Sequence, residues 1–298
     1  GKPKMAMYMT TFTVVLNAVL SPIFIWPMHM GIRGAALATI LSQAVALAWQ
    51  CKIFSNPAEI LHFQRGTYRL RSDIVKNILA VGVSPFAMNV CACIVVIFIN
   101  HGMVKYGGDL AVGAYGIANK VAFIFVMINI GLTQGMQPIA GYNYGSLQLD
   151  RMLHVLKLSM IAGTAIMTTG FLVAMLLPGF CARLFTTDHT LISMSVRGIR
   201  IEMMMFPIVG YQMVVTSFFQ SIGKAKISMF LSLSRQLLFL LPMLIILPPL
   251  FKIDGVWAAM PVSDAVAALV AAWIMALYMK RFMKQHKEIN YGRQENNH

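Results

Sequence analysis

Apolar residues along this chain run in long unbroken blocks, and polar residues gather between the blocks. Eight blocks stand out, at residues 5–26, 35–53, 78–101, 112–134, 153–177, 193–221, 227–250 and 256–279. Each is close to the ~20 residues an α-helix needs to cross a ~30 Å hydrocarbon layer. In lipid the backbone must satisfy its own hydrogen bonds, so blocks of this length predict transmembrane helices. A membrane β-barrel would show segments of about ten residues with alternating polarity, and the sequence has no such segments. The pattern predicts an all-α polytopic membrane protein with eight transmembrane helices.

The connections are short except for residues 54–77, which are polar and basic. This segment reads as a cytoplasmic linker between residues 1–53 and a helical bundle at 78–281, with 282–298 as a cytoplasmic tail. The composition agrees: 58% of residues are hydrophobic and 11% charged, against about 25% charged in soluble domains. The net charge of +14 could suggest a nucleic-acid partner. The cations are instead spread over alternate connections, as at Lys52, Arg71 and Lys76, then Arg151 and Lys157, then Lys224 and Lys226, then Lys280 and Arg281. That distribution is the positive-inside pattern of a membrane protein. It predicts no nucleic-acid partner and places both termini in the cytoplasm of a multi-pass plasma (inner) membrane protein. Cys51, Cys91, Cys93 and Cys181 read as small buried apolar residues. No Cys/His spacing suggests a metal site, and no nucleophile elbow or phosphate loop suggests an enzyme.

An internal repeat adds a second kind of information. The stretch from Gly34 to Ala46 aligns without gaps on that from Gly255 to Ala267, an offset of 221 residues. Identities fall at Gly34/Gly255, Ala38/Ala259, Ser42/Ser263, Ala44/Ala265, Val45/Val266 and Ala46/Ala267. Both copies open a block that runs from outside to inside, so the halves are related by an axis along the membrane normal. With a six-span repeat unit, the last six spans form one complete bundle. The first two are then the end of another bundle, and the parent has twelve spans. The chain starts at Gly1, so the reading expects the missing N-terminal helices of the same protein as a partner.

Several stretches resemble the multidrug and toxic compound extrusion (MATE) family in order and spacing. They are Leu16-Asn17-Ala18-Val19-Leu20-Ser21-Pro22 with Gly34-Ala35-Ala36, then Gly135-Met136-Gln137-Pro138-Ile139-Ala140-Gly141-Tyr142-Asn143-Tyr144-Gly145, then Phe219-Gln220-Ser221-Ile222-Gly223-Lys224, then Ser234-Arg235-Gln236. One departure is Ser21, where many members carry Asp before the proline. The resemblance implies a two-bundle, twelve-helix fold with a central cavity. It also implies alternating-access export of organic, often cationic, small molecules in exchange for Na⁺ or H⁺, with no other cofactor. Two alternatives stay open: a flippase for lipid-linked or polysaccharide substrates from the same superfamily, and an inactive fragment or membrane scaffold.

An ionisable side chain at membrane depth is expensive and therefore a functional candidate. Asp264 lies about nine residues into the last block, near the midplane, and Glu202 lies in the sixth block ahead of Pro207. Arg235 lies in the seventh block. Measured from a hairpin centred near Lys252, Arg235 and Asp264 differ in register by five residues, or about 7.5 Å, within reach of an arginine. Asp264 is thus either half of a structural pair with Arg235 or a coupling group. Asn89, Asn129, Gln134, Gln137 and Gln212 are uncharged candidates for the substrate and ion pathway, with helix–helix hydrogen bonding as the alternative. Pro85, Pro138, Pro207 and Pro242 are candidate hinges, and Pro138 is expected to break its helix.

Overall fold

The computed structural model describes residues 3–57, 62 and 71–295, and these residues are helical apart from short turns. Two compact units are present, Gly1–Ile78 and Leu79–His298. Half of the linker expected at 54–77, residues 58–61 and 63–70, lies outside the described residues, as do residues 296–298.

In the first unit α1 (Pro3–Ile25) and α2 (Gly31–Phe54) form a hairpin. The turn passes through His29 and Gly31, both at positive φ. The buried face of α2 is Gly34, Ala38, Ser42 and Ala46, one residue every four. A Cβ on Gly34 would sit 2.7 Å from the carbonyl oxygen of Phe24, so glycine lets the start of α2 cross close to the end of α1. The second repeat copy has the same design. Gly255, Ala259, Ser263 and Ala267 are all buried, and a Cβ on Gly255 would collide with the carbonyl of Leu247. Four of the six identities in the repeat are therefore the small-residue stripe by which an incoming helix packs on its predecessor.

The second unit holds most of α3 (Ser72–Gly145), followed by α4 (Leu149–Leu176), α5 (Pro178–Arg183), α6 (His189–Glu202), α7 (Phe206–Ser221) and α8 (Ala225–Leu233). A π-helical turn, Ser234–Leu240, leads into α9 (Leu241–Phe251), and α10 (Ile253–Glu295) closes the chain. Among the described residues, six helical segments are long and apolar enough to cross a membrane, and a seventh arises if α6 and α7, bent by 53°, count as one crossing. Asp188 caps α6, its Oδ1 accepting from the backbone N–H groups of Thr190 and Leu191.

Two sequence expectations are corrected here. Pro138 does not break its helix: α3 continues through it to Gly145, and the non-helical residue is Gly108 (φ 70°, ψ −172°). Proline removes one backbone hydrogen bond, and continued packing of the buried Met136, Ala140 and Asn143 offsets that loss. The positive φ at Gly108 suits glycine best. The cysteines are not all buried either. Cys91 and Cys181 are, while Cys51 and Cys93 are exposed; residues 91 and 93 point to different faces because a helix turns about 100° per residue.

The second unit has two apolar cores. One surrounds Met103, Tyr115, Ile199, Met203, Phe206 and Trp257. The other surrounds Met152, Leu156, Phe218, Phe219 and Phe282. Between them Gly163 on α4 meets Gly210 on α7, where a Cβ on Gly210 would lie 2.6 Å from the Gly163 carbonyl oxygen. At the edge of the second core Lys224 stands 4.1 Å from the centre of the Tyr278 ring. Burial, and secondarily the neighbouring Arg281, pull its ammonium below the ordinary lysine range.

Candidate functional site

Four elements of the second unit deliver polar groups to one cavity of about 290 Å³. From α3 come Tyr115 and Asn119, one turn apart, in a wall continued by Ala122, Phe123 and Val126. Glu202 comes from the last residue of α6, Arg235 and Gln236 from the π-helical turn, and Asp264 from α10.

Local structure explains each placement. α6 stops at Glu202, and Met203–Met205 turn the chain before Pro207 enters the first turn of α7. Proline fits there because a first-turn N–H has no helical partner to lose. The bend leaves Glu202 at a helix end facing the cavity. The π-helical turn carries one residue more per turn than an α-helix, a feature frequent at functional sites. Its Arg235 carbonyl accepts a hydrogen bond from Ser263 Oγ at 2.9 Å, which ties the turn to α10. Pro242 follows in the first turn of α9.

Arg235 Nε donates to Asp264 Oδ1 at 2.7 Å, with the Asp264 side chain 8% exposed and that of Arg235 35% exposed. Glu202 is also buried, and its Oε2 has no hydrogen-bond donor among the described protein atoms. Oε1 of Gln236 is likewise unpartnered. The cavity thus presents two carboxylates to one guanidinium within mostly apolar walls. A buried carboxylate oxygen without a donor is costly, so Glu202 Oε2 is an uncompensated acceptor of this cavity.

The other sequence candidates are elsewhere. Asn129 is fully buried, with Nδ2 3.4 Å from Met213 Sδ. Gln212 is buried one helix away on α7. The side-chain oxygens of both lack donors. Asn129 packs beside the glycine contact, since a Cβ on Gly163 would approach its Oδ1 to 2.8 Å. These two residues lie at the boundary between the apolar cores, not in the cavity wall. Asn89 and Gln134 are exposed and Gln137 is half-buried, all outside the cavity lining. The side chain of Pro85 lies outside the described residues. Sequence reasoning missed Tyr115, Asn119 and Gln236. Gln236 could have been found, as the third member of a polar triplet, Ser234-Arg235-Gln236, inside an apolar block.

Long apolar helices around a small, charged, largely apolar-walled cavity define a multi-pass α-helical membrane protein. The family model described as MatE matches residues 82–246, more than half of the chain. The chain belongs to the MATE family. It is 25% identical over 275 residues to the multidrug export protein MepA of Staphylococcus haemolyticus (strain JCSC1435), covering 92% of this chain and 60% of that relative. MepA of Staphylococcus aureus (strain bovine RF122 / ET3-1) is 23% identical over 292 residues, covering 98% and 64%. Among solved structures, MATE in the straight conformation superposes with a TM-score of 0.84 at 22% identity, over 95% of this chain and 64% of that one. The chain spans between 60% and 64% of the length of these curated relatives.

Proposed function

We propose that this chain is the larger part of a secondary antiporter that exports organic, often cationic, small molecules from the cytoplasm in exchange for inward Na⁺ or H⁺. The carrying observation is the convergence of Glu202 and Asp264 on one cavity that holds a single guanidinium, Arg235. A site with a surplus carboxylate can hold an inorganic cation or proton and then yield it to an organic cation, which is the exchange an antiporter needs. The names of the relatives, multidrug export proteins, support the same substrate class. A flippase for lipid-linked sugars would need a wide cationic cavity for its phosphates, and the acidic surplus here argues against it.

The reading includes the architecture. Counting α3 as two crossings divided at Gly108, and the bent α6–α7 pair as one, brings the six long apolar segments to eight. The last six would form one bundle and the first two would complete another, in a twelve-helix plasma-membrane protein with both termini cytoplasmic. The two bundles would rock about a central site, with Pro207 and Pro242 as bending points.

The test uses the whole gene product in everted vesicles, with uptake of a fluorescent organic cation followed under imposed Na⁺ or H⁺ gradients. One gradient should drive dye movement, and Glu202→Gln or Asp264→Asn should reduce it at least tenfold while membrane insertion is unchanged. Dye movement that ignores both gradients would overturn antiport. Dye movement that is gradient-driven but indifferent to both substitutions would remove the coupling role from this cavity.

A further inference from the structure

A second hollow lies on the side of the same unit, away from the carboxylates. It is a groove of about 510 Å³ between α4 and α10, floored by Tyr211 of α7. On α4 it runs from Asp150 through Leu153, His154 and Lys157 to Met160. That is eleven residues, or about 15 Å of helix, the depth of one leaflet's half of a ~30 Å hydrocarbon layer. His154 stands one turn from Asp150, Lys157 lies further in and three residues from Met160, and the deeper wall is completed by the α10 residues Ala272 and Met275.

Further cations lie around the polar end, outside the lining itself. Arg151 is six residues before Lys157 on α4, and Lys224 and Arg281 both approach the Tyr278 ring, next to the groove-lining Met279. Against these cations the groove presents one carboxylate, Asp150. A slot one leaflet deep, apolar at its inner end, carrying His154 and Lys157 along its wall and ringed by further cations, matches a lipid with a negatively charged headgroup. Basic pockets between helices on the cytoplasmic side recognise such lipids. Lys157 is exposed and long enough to extend its ammonium from the slot towards the headgroup layer while its methylenes stay along the apolar wall.

We propose that the groove between α4 and α10 is a binding site for one anionic glycerophospholipid, with its phosphate held by Lys157 and His154 and an acyl chain laid along Leu153, Met160 and Met275. This site rests on the membrane placement of the chain and is independent of the exported substrate.

The experiment is native mass spectrometry of the whole gene product, purified in detergent and offered equal amounts of phosphatidylglycerol and phosphatidylcholine. Phosphatidylglycerol should be retained preferentially. Lys157→Ala should reduce that preference about fivefold, and Lys157→Arg should preserve it. Ala276→Trp, which fills the groove from an exposed position and keeps every cation, should remove the retained lipid. Lys226→Ala, a cation outside the groove, should change nothing. Equal retention of the two lipids would overturn the proposal. So would a loss in Lys226→Ala as large as in Lys157→Ala, which marks diffuse surface charge, or unchanged retention in Ala276→Trp.

Discussion

Asp264 and Arg235 illustrate how a single pair can be both structural and functional. Their 2.7 Å contact neutralises Asp264 and leaves Glu202 as the surplus acid of the cavity. Removing one partner of a buried pair is worse than removing both, because a charge is then left unpaired. Arg235→Met is expected to destabilise the purified protein by about 2 kcal/mol, less than a fully buried pair would lose because Arg235 is partly exposed. Arg235→Met with Asp264→Leu should recover most of that loss in a thermal-unfolding series. A double variant no more stable than the single one would show that the pair matters little to folding. At the glycine contact, Gly210→Ala should cost about 1–3 kcal/mol, since its Cβ would press on the Gly163 carbonyl, whereas Gly179→Ala, with open space around it, should be nearly neutral. Charges inside apolar blocks are conspicuous in a sequence, so Asp264, Glu202 and Arg235 could be singled out there. Tyr115 could not, because an aromatic residue in an apolar block looks like any other packing residue.

At the scale of elements, block length was the readable property and helix irregularity was not. Apolar runs near 20 residues marked the helices because a bilayer imposes that length. The π-helical turn opens on the polar triplet Ser234-Arg235-Gln236, but no residue type announces its extra residue. The break at Gly108 falls in the gap between the blocks 78–101 and 112–134, whereas the break expected at Pro138 is absent for a related reason. Proline has a strong local preference, but the packing around residues 136–143 outweighs one lost hydrogen bond, whereas the positive φ at Gly108 requires a glycine-like residue. The π-helical turn aims Arg235 at Asp264. Deleting Leu237 should convert it to regular α-helix and rotate Arg235 by about 100° relative to α9. In that background Arg235→Met should add no further destabilisation in the same thermal series. A full additional loss would show that the extra residue does not set the contact.

At the scale of the molecule, the repeat was legible because it records packing. Gly34 and Gly255 each admit a close backbone crossing, and the alanines and serines after them form matching buried stripes. The polar cavity as a unit was not legible, since its walls come from residues 92 to 264 and only folding brings them together. The alternating cations predict an inside location for the end of the chain. A fluorescent protein fused after residue 298 should therefore fluoresce, and alkaline phosphatase fused there should be inactive; the reverse would invert the topology. The account stands most of all on exchange at the cavity of Glu202 and Asp264. The direct measurement is ion release from the purified whole gene product when an organic cation is added, read as protons in weak buffer and as displaced radioactive Na⁺. The account predicts release of one of these ions from the wild type and its loss in the protein carrying both Glu202→Gln and Asp264→Asn. Undiminished release from that double variant would contradict it.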